Sequence, residues 1–294
     1  MRAISSYFPK SYKRFIDETV SIINALIIIF LIRTFIFGLY QVPSGSMETT
    51  LLVGESLVSD KLSIWFTPIK RGEVIAFNQP TYDYSENVLM NVIERYVLGI
   101  FWGPQNWTKR VIGIPGDHVQ GRIEDGKTVV YINGERLIEP YVNTYPLARQ
   151  LKVGTWATFN PYNKEDYYNI QPISYDVSKS PEEQPFYKTS WAKLLHKDGK
   201  LVLIEPGTPQ ERGIDVYDIH LKDNEYWCMG DNRLGSSDCR EIGIVDGKLI
   251  HGRVIFRLFS FDDPENSWMI ISFLKNPITF WSKIRWNRCL QWIK

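Results

Sequence analysis

The sequence predicts a mainly β protein carried behind one N-terminal transmembrane helix. Three observations lead there. An apolar run from Val20 to Tyr40, about 20 residues, is long enough to cross a hydrocarbon core as a helix. From Glu55 onward the pattern changes to short apolar stretches divided by Gly, Pro, Asn and Asp, as strands and tight turns require. One such turn, Asn133-Gly134 between Thr128–Ile132 and Glu135–Ile138, is the strongest short-range signal for an antiparallel hairpin.

The elements follow in order. Residues 1–15 carry Arg2, Lys10, Lys13 and Arg14 and no acid, which predicts that end in the cytoplasm and the rest of the chain outside. A charge at mid-bilayer costs at least ~2.5 kcal/mol. Arg33 lies toward the outer end of the run, where its long side chain can reach the headgroups. A cleavable signal peptide fits less well, because the run is too long and its exit, Phe37 to Pro43, offers no small-x-small site. A buried helix of a soluble protein fits less well too, because the run is long and has few breakers.

Ser56–Lys61 and Gly72–Asn78 read as strands. Glu86–Trp102 has helical spacing instead, with Val88, Leu89, Val92, Ile93, Tyr96, Val97 and Ile100 on the apolar positions. It is too short to span a bilayer, so it either packs on the core or lies in the outer leaflet, and packing on the core is preferred. Trp107–Val119 is a strand entering the Gly116-Asp117 turn. Residues 140–225 offer strand fragments at Thr155–Phe159 and Leu201–Ile204 and a short helix at Pro185–Leu195. Glu225–Met229 and Leu249–Leu258 are the last strands. From Asn266 to Lys294 there is no acid, but there are Lys275, Lys283, Arg285, Arg288, Lys294 and many aromatics, broken by Pro277. That composition reads as a membrane-surface segment rather than a second span or a solvated tail.

Composition narrows the function. At 294 residues, 44% hydrophobic and 23% charged, the chain is expected to fold around a real core. A net charge of +1 argues against a dedicated nucleic-acid binder. No zinc-type spacing and no Walker or dinucleotide glycine pattern occurs, so no metal and no cofactor are expected. Aromatics at 14%, with ten Trp, suit a protein lying against a bilayer interface. Cys228, Cys239 and Cys289 are odd in number. A Cys228–Cys239 bridge needs an oxidising space, and buried free thiols are the preferred reading.

Three stretches carry the chemistry. Gln41-Val42-Pro43-Ser44-Gly45-Ser46-Met47 follows the apolar run, with Thr49 and Leu51–Val53 behind it. Thr108-Lys109-Arg110 leads into Gly113-Ile114-Pro115-Gly116-Asp117. Met229-Gly230-Asp231-Asn232-Arg233 runs on to Ser236, Asp238, Cys239 and Arg240. A serine beside a glycine is ordinarily a turn, a lysine on a strand ordinarily faces solvent, and Gly-Asp-Asn-Arg is ordinarily an exposed turn. Together, in this order and behind an anchor, they resemble the bacterial type I signal peptidases, membrane-bound serine-lysine proteases that remove signal peptides. The resemblance covers roughly residues 15–125 and 225–260.

The resemblance implies the following roles. Ser46 is the nucleophile and Lys109 its general base. Ser236 orients the Lys109 amine, and Ser44 donates to the oxyanion beside the backbone N–H of Ser46. Arg110 pairs with Asp231, and Asp238 with Arg240, as support beneath the site. Val42, Pro43, Leu57 and Thr108 line the pockets for small residues before the cut. The family's usual proline is Thr49 here, which loosens that turn, and its usual serine before the last arginine is Cys239. The implied architecture is a cytoplasmic N-terminus at 1–15, an anchor at 16–40, and an antiparallel β-sheet catalytic domain from 41–139 and 225–262. A variable β subdomain is inserted at 140–224, and 263–294 is a basic aromatic tail. The implied partners are preprotein signal peptides, membrane lipid and the protein translocation machinery. The implied location is the outer, periplasmic side of the bacterial cytoplasmic membrane.

Physical chemistry constrains the base. A free lysine has a pKa of ~10.4 and must come down to ~7–8 to serve near neutrality. On a strand Trp107, Lys109 and Val111 share one face, so two apolar neighbours can desolvate the amine, while Arg110 points away. A histidine triad is disfavoured: of His118, His196, His220 and His251 only His118 is near a motif, and no G-x-S-x-G surrounds a serine. Two other readings share these features, a Ser-Lys maturation peptidase of a secretion or conjugation system and a non-catalytic anchored binding protein. A binder has no use for Ser46, Lys109 and Ser236 together.

Overall fold

A computed structural model of the chain describes residues 10–96, 104–143, 147–152, 172–174, 183, 199–203, 213–261 and 269–293. It opens with helix α1, Lys10–Phe35. Within it Arg14–Phe35 is long and apolar enough to cross a membrane; its apolar stretch is exposed, while Thr34 near its end is buried and its carbonyl accepts from Lys61. The helix ends five residues before the apolar run does. Phe37–Gln41 is instead strand β1. Its aromatic, alternating residues pair with Ser56–Asp60, and that ladder outcompetes one more helical turn.

The strands that follow are β2 (Glu55–Asp60), β3 (Val74–Asn78), β4 (Asn106–Gly113), β5 (His118–Glu124), β6 (Lys127–Ile132) and β7 (Glu135–Arg136). Then come β8 (Leu147–Lys152), β9 (Pro172–Ser174), β10 (Gly199–Leu203), β11 (Tyr217–His220) and β12 (Glu225–Met229). The last are β13 (Val245–Asp246), β14 (Ile250–Ser260) and β15 (Gln291–Trp292). Among the described residues every strand pairing is antiparallel, so the protein is mainly β as expected. The main sheet runs β1-β2-β14-β3-β4-β12-β13, with β15 on β14. A second sheet runs β11-β5-β6-β7, and a third, β10-β8-β9, lies in the 140–224 segment. Tyr217–His220, near the end of that segment, pairs with β5 rather than with the third sheet. The expected elements Thr155–Phe159 and Pro185–Leu195 lie outside the described residues.

β14 shapes the main sheet. Its first part pairs with β3 and its longer second part with β2, and three register shifts bend it. The sheet therefore coils, with a small core of Met47, Leu51, Leu57, Val74, Ala76 and Val254 beneath the segment after α1. A larger core, including Ile75, Phe77, Val111, Val119, Val130 and Trp227, joins it to the second sheet. The Asn133-Gly134 turn forms as read, with both residues at positive φ and Ile132 opposite Glu135.

One expectation changes. Helix α2, Val88–Tyr96, starts on an Asn87 cap that accepts from Leu89 and Met90 N–H. Its apolar residues Val88, Leu89, Met90 and Val92 face outward, so it does not pack them on the core. The side it buries carries Glu94, which accepts from Ser85 N–H. The C-terminal segment, for its part, packs partly on the protein. Phe280 and Ile284 pack on Phe261, and β15 extends the sheet, while Trp281, Trp286 and Trp292 stay exposed.

Gly54 is fixed by its backbone. It sits at φ +85°, and a Cβ there would lie 2.0 Å from the Phe261 carbonyl oxygen. Gly72, at φ +88°, has open space around it. We expect Gly72→Ala to cost about 1–2 kcal/mol, the ordinary penalty of a left-handed alanine. Gly54→Ala should cost distinctly more, because backbone must also move. Denaturant midpoints of the two variants in detergent check this order.

Candidate active site

A cleft of about 730 Å³ opens where β1 leaves the helix. Its walls include Val42, Pro43, Ser44, Ser46, Leu57, Thr108 and Lys109, so the expected pocket and catalytic positions converge, apart from Ser236. Their strands explain the convergence. β1 pairs only with β2, and Asn106–Lys109 pairs only with β3, since β12 joins β4 from Arg110 onward. Among the described residues, two backbone edges therefore border the cleft without a strand partner.

Ser46 sits in a single 3₁₀ turn, Gly45–Met47, and is buried. Ser44 precedes it in extended conformation, exposed toward the cleft. The Ser46 carbonyl accepts from Asn232 N–H at 3.1 Å, and the Gly45 carbonyl from the Asn232 amide at 3.0 Å. The third motif thus grips the turn that bears Ser46 through its backbone. Gly230 makes the grip possible: a Cβ there would lie 2.5 Å from the Ser46 carbonyl oxygen and 2.2 Å from Ser236 Oγ.

Lys109 Nζ stands 3.0 Å from Ser46 Oγ and 3.2 Å from the Thr108 carbonyl oxygen. It is 5% exposed and lies over the Trp107 ring. Burial holds its pKa below the ordinary lysine value, and this outweighs the opposing pull of Asp238. In the charged form the ammonium donates to Oγ; in the neutral form the hydroxyl donates to the amine. The latter is the arrangement a base needs. Ser236 is buried nearby, and its hydroxyl has no hydrogen-bond partner among the described residues, while the amine also donates to the Thr108 carbonyl.

Alternation on β4 sends Arg110 to the opposite face. There it forms a two-pronged pair with Asp231 at 2.9 and 2.7 Å, both groups almost wholly buried. It also donates to the Gly72 carbonyl and lies over the Tyr141 ring. Asp231 accepts from Thr50 as well, at 2.6 Å. Arg240 pairs with Asp238 at 2.8 Å, as expected, and also with Asp215 at 2.7 Å. Asp215 comes from the segment 140–225, where no motif marks it. Asp238 accepts from Gly230 N–H and caps the turn Cys239–Ile242, so the pair pins the whole third motif. Cys228 and Cys239 are free buried thiols, and Cys228 N–H donates to Cys239 Sγ.

Of the four histidines, His196 lies outside the described residues. His118 pairs with Asp218 and stacks on His220, on the second sheet and not in the cleft wall. His251 does line the cleft, a placement no motif announces. Burial lowers its pKa to about 3, so it is neutral at ordinary pH. Its Nδ1 pairs with the Tyr40 hydroxyl, and Ser46 Oγ is held by Lys109 instead.

Residues 15–259 match the family described as signal peptidase, peptidase S26. The chain is similar to a signal peptidase I of Buchnera aphidicola subsp. Schizaphis graminum, 29% identical over 90% of this chain and 81% of that protein. It is also similar to signal peptidase IB of Staphylococcus aureus, 24% identical over 87% and 98%. A crystal structure of a signal peptidase I from Enterococcus faecalis V583 aligns at 19% identity, covering 64% of this chain and 97% of that one, with a TM-score of 0.28. The family match spans the turn that carries Ser46, the strand that carries Lys109 and the motif that braces them, and the chain accordingly belongs to the signal peptidases of the peptidase S26 family.

Proposed function

We propose that this signal peptidase removes signal peptides from exported preproteins with Ser46 as nucleophile and Lys109 as general base. The observation that carries the assignment is the 3.0 Å contact between Ser46 Oγ and a buried, pKa-lowered lysine amine.

The preprotein lies extended between the edges of β1 and Asn106–Lys109, bonding to both by its main chain. Val42, Pro43, Leu57 and Thr108 limit the side chains that fit beside it. Neutral Lys109 takes the Ser46 proton as Oγ attacks the scissile carbonyl, and the carbonyl electron pair moves to oxygen. Ser46 N–H and the Ser44 hydroxyl receive that oxyanion. As the tetrahedral species collapses, the protonated amine gives its proton to the departing nitrogen. The mature chain leaves, and the signal peptide stays as an ester on Ser46. Lys109 then deprotonates water, which releases the peptide and restores the hydroxyl.

Membrane lipid surrounds α1, and the basic flank before it supports an N-terminus in the cytoplasm and a site on the outer face. Exposed Phe37, Leu39, Leu62, Trp65 and Phe66, close to the helix end, suit contact with the interface. The substrate reaches this position from the protein translocation machinery. This partner follows from the reaction, since a signal peptide must be exported before an outer site can cut it.

Ser46→Ala and Lys109→Ala should each lower kcat for an Ala-x-Ala preprotein in detergent by at least ~10⁴-fold. Cleavage that survived Lys109→Ala would sink the lysine mechanism. The pH profile tests the same assignment. Only neutral Lys109 is a base, and burial lowers its pKa, so kcat/KM should rise with pH to a plateau through a midpoint below 10.5. The folded state then binds fewer protons than the unfolded one between that midpoint and the free-lysine value, so stability rises with pH in this window. Lys109→Met should flatten that rise, read as the urea midpoint across a pH series.

A further inference from the structure

The segment after the nucleophile turn is held from a second side, by residues beyond the family match, which ends at 259. We propose that Arg285 and Arg288 of the C-terminal segment, with Arg257 of β14, are positioning residues that fix the chain between Thr49 and Val53 and so the turn bearing Ser46. The inference rests on Ser46 being the nucleophile.

The arrangement centres on Glu55, which is wholly buried. Its carboxylate accepts from Arg257 Nε at 2.8 Å and Arg288 Nε at 2.6 Å. It also accepts from Ser260 Oγ and from Leu52 N–H. Arg285 joins through Ser260, donating to its hydroxyl at 2.8 Å. Three guanidinium groups thus gather around one carboxylate. A buried guanidinium left with unsatisfied N–H groups is costly, so the remaining donors need acceptors. Three of them reach the backbone of the segment that follows Met47. Arg257 Nη2 and Arg288 Nη2 both donate to the Thr50 carbonyl, at 2.5 and 3.0 Å. Arg285 Nη2 donates to the Val53 carbonyl at 2.7 Å and to that of Phe261 at 3.0 Å.

The consequence reaches Ser46 through two short links. Leu51 N–H bonds to the Met47 carbonyl, closing the segment onto the nucleophile turn. The Thr50 hydroxyl bonds to Asp231, beside the Asn232 that grips the Ser46 carbonyl. Thr50 is therefore clamped between the arginines and the third motif. The need for such a clamp is local. Thr49 lies two residues beyond Met47, and threonine there leaves φ free where a proline would lock it. Here the C-terminal segment supplies from outside the restraint that the turn lacks within itself.

The test uses the full chain in detergent, with Ser46→Ala as a control and an Ala-x-Ala preprotein as substrate. Arg288→Met keeps much of the apolar stem and removes the donors. We expect its kcat to fall about tenfold with KM within about twofold, since a small misplacement of a reacting group acts on the chemical step. Adding Thr49→Pro to Arg288→Met should recover most of that loss, which a merely structural arginine would not allow. Arg288→Lys keeps the charge beside Glu55 but cannot reach both acceptors, and its kcat should fall about threefold. A folded Arg288→Met with wild-type kcat would overturn the proposal, as would a loss carried by KM that Thr49→Pro leaves unchanged. Should Arg288→Met not fold, Arg288→Lys decides, and wild-type kcat there overturns it. A Ser46→Ala variant that still cuts would remove the nucleophile reading itself, and this inference with it.

Discussion

The structure depends on keeping one cation-forming group dry without giving it a counter-charge. Lys109 must lose water to become a base, yet a carboxylate in contact would restore its proton. Strand alternation resolves the conflict. Lys109 turns into the cleft, where Trp107 and Ser46 are its neighbours, and Arg110 turns to the far face and takes Asp231 for itself. Asp238, the acid that pulls hardest on Lys109, is already committed to Arg240 and to Gly230 N–H. The nearby acids are thus spent on guanidinium groups, and the amine is left to desolvation.

The same pairing recurs under the whole site. Arg233 meets Glu139, Arg240 meets Asp238 and Asp215, and Arg257 and Arg288 meet Glu55, with most of these groups buried. Buried pairs of this kind contribute little net stability compared with apolar packing, but breaking one leaves an uncompensated charge and costs about 3–5 kcal/mol. They suit a site that needs fixed geometry more than extra stability. Each arginine also donates to backbone carbonyls, so the pairs hold loops as well as one another: Gly72 through Arg110, Arg233 through Arg240, Thr50 through Arg257.

What the sequence revealed follows from how local each signal is. Ser46, Lys109 and the Arg110–Asp231 and Asp238–Arg240 pairs are readable because each belongs to a compact motif, and the resemblance orders the motifs. The hairpin at Asn133-Gly134 is readable because positive φ at both positions selects those residue types. The end of α1 is not readable to the residue, because Phe37 to Tyr40 serve a membrane helix and an edge strand equally, and only β2 decides. Helix α2 misleads because periodicity reports a face and not what the face meets. His251, Asp215 and the arginines around Glu55 are invisible for another reason. Their roles arise from contacts across 25 to 233 residues of chain, as in Arg240–Asp215 and Arg288–Glu55, and no local pattern encodes them.

The join between helix and strand also constrains the substrate. Only Ile36 separates α1 from β1, and its carbonyl is tied to Lys61 N–H, so the strand begins where the helix ends. Five residues of β1 at ~3.3 Å each carry the chain about 17 Å from the helix end toward the Ser46 turn. A signal peptide whose own apolar helix stops at the same depth must cover a similar distance in extended form before its scissile bond meets Ser46. At that rise the span is about five residues. A shorter link would leave the bond short of the nucleophile, and a longer one would have to bulge from a cleft with backbone edges on both sides. On the proposed mechanism, the length of β1 then sets the position of the cut along the preprotein, together with the pockets beside it.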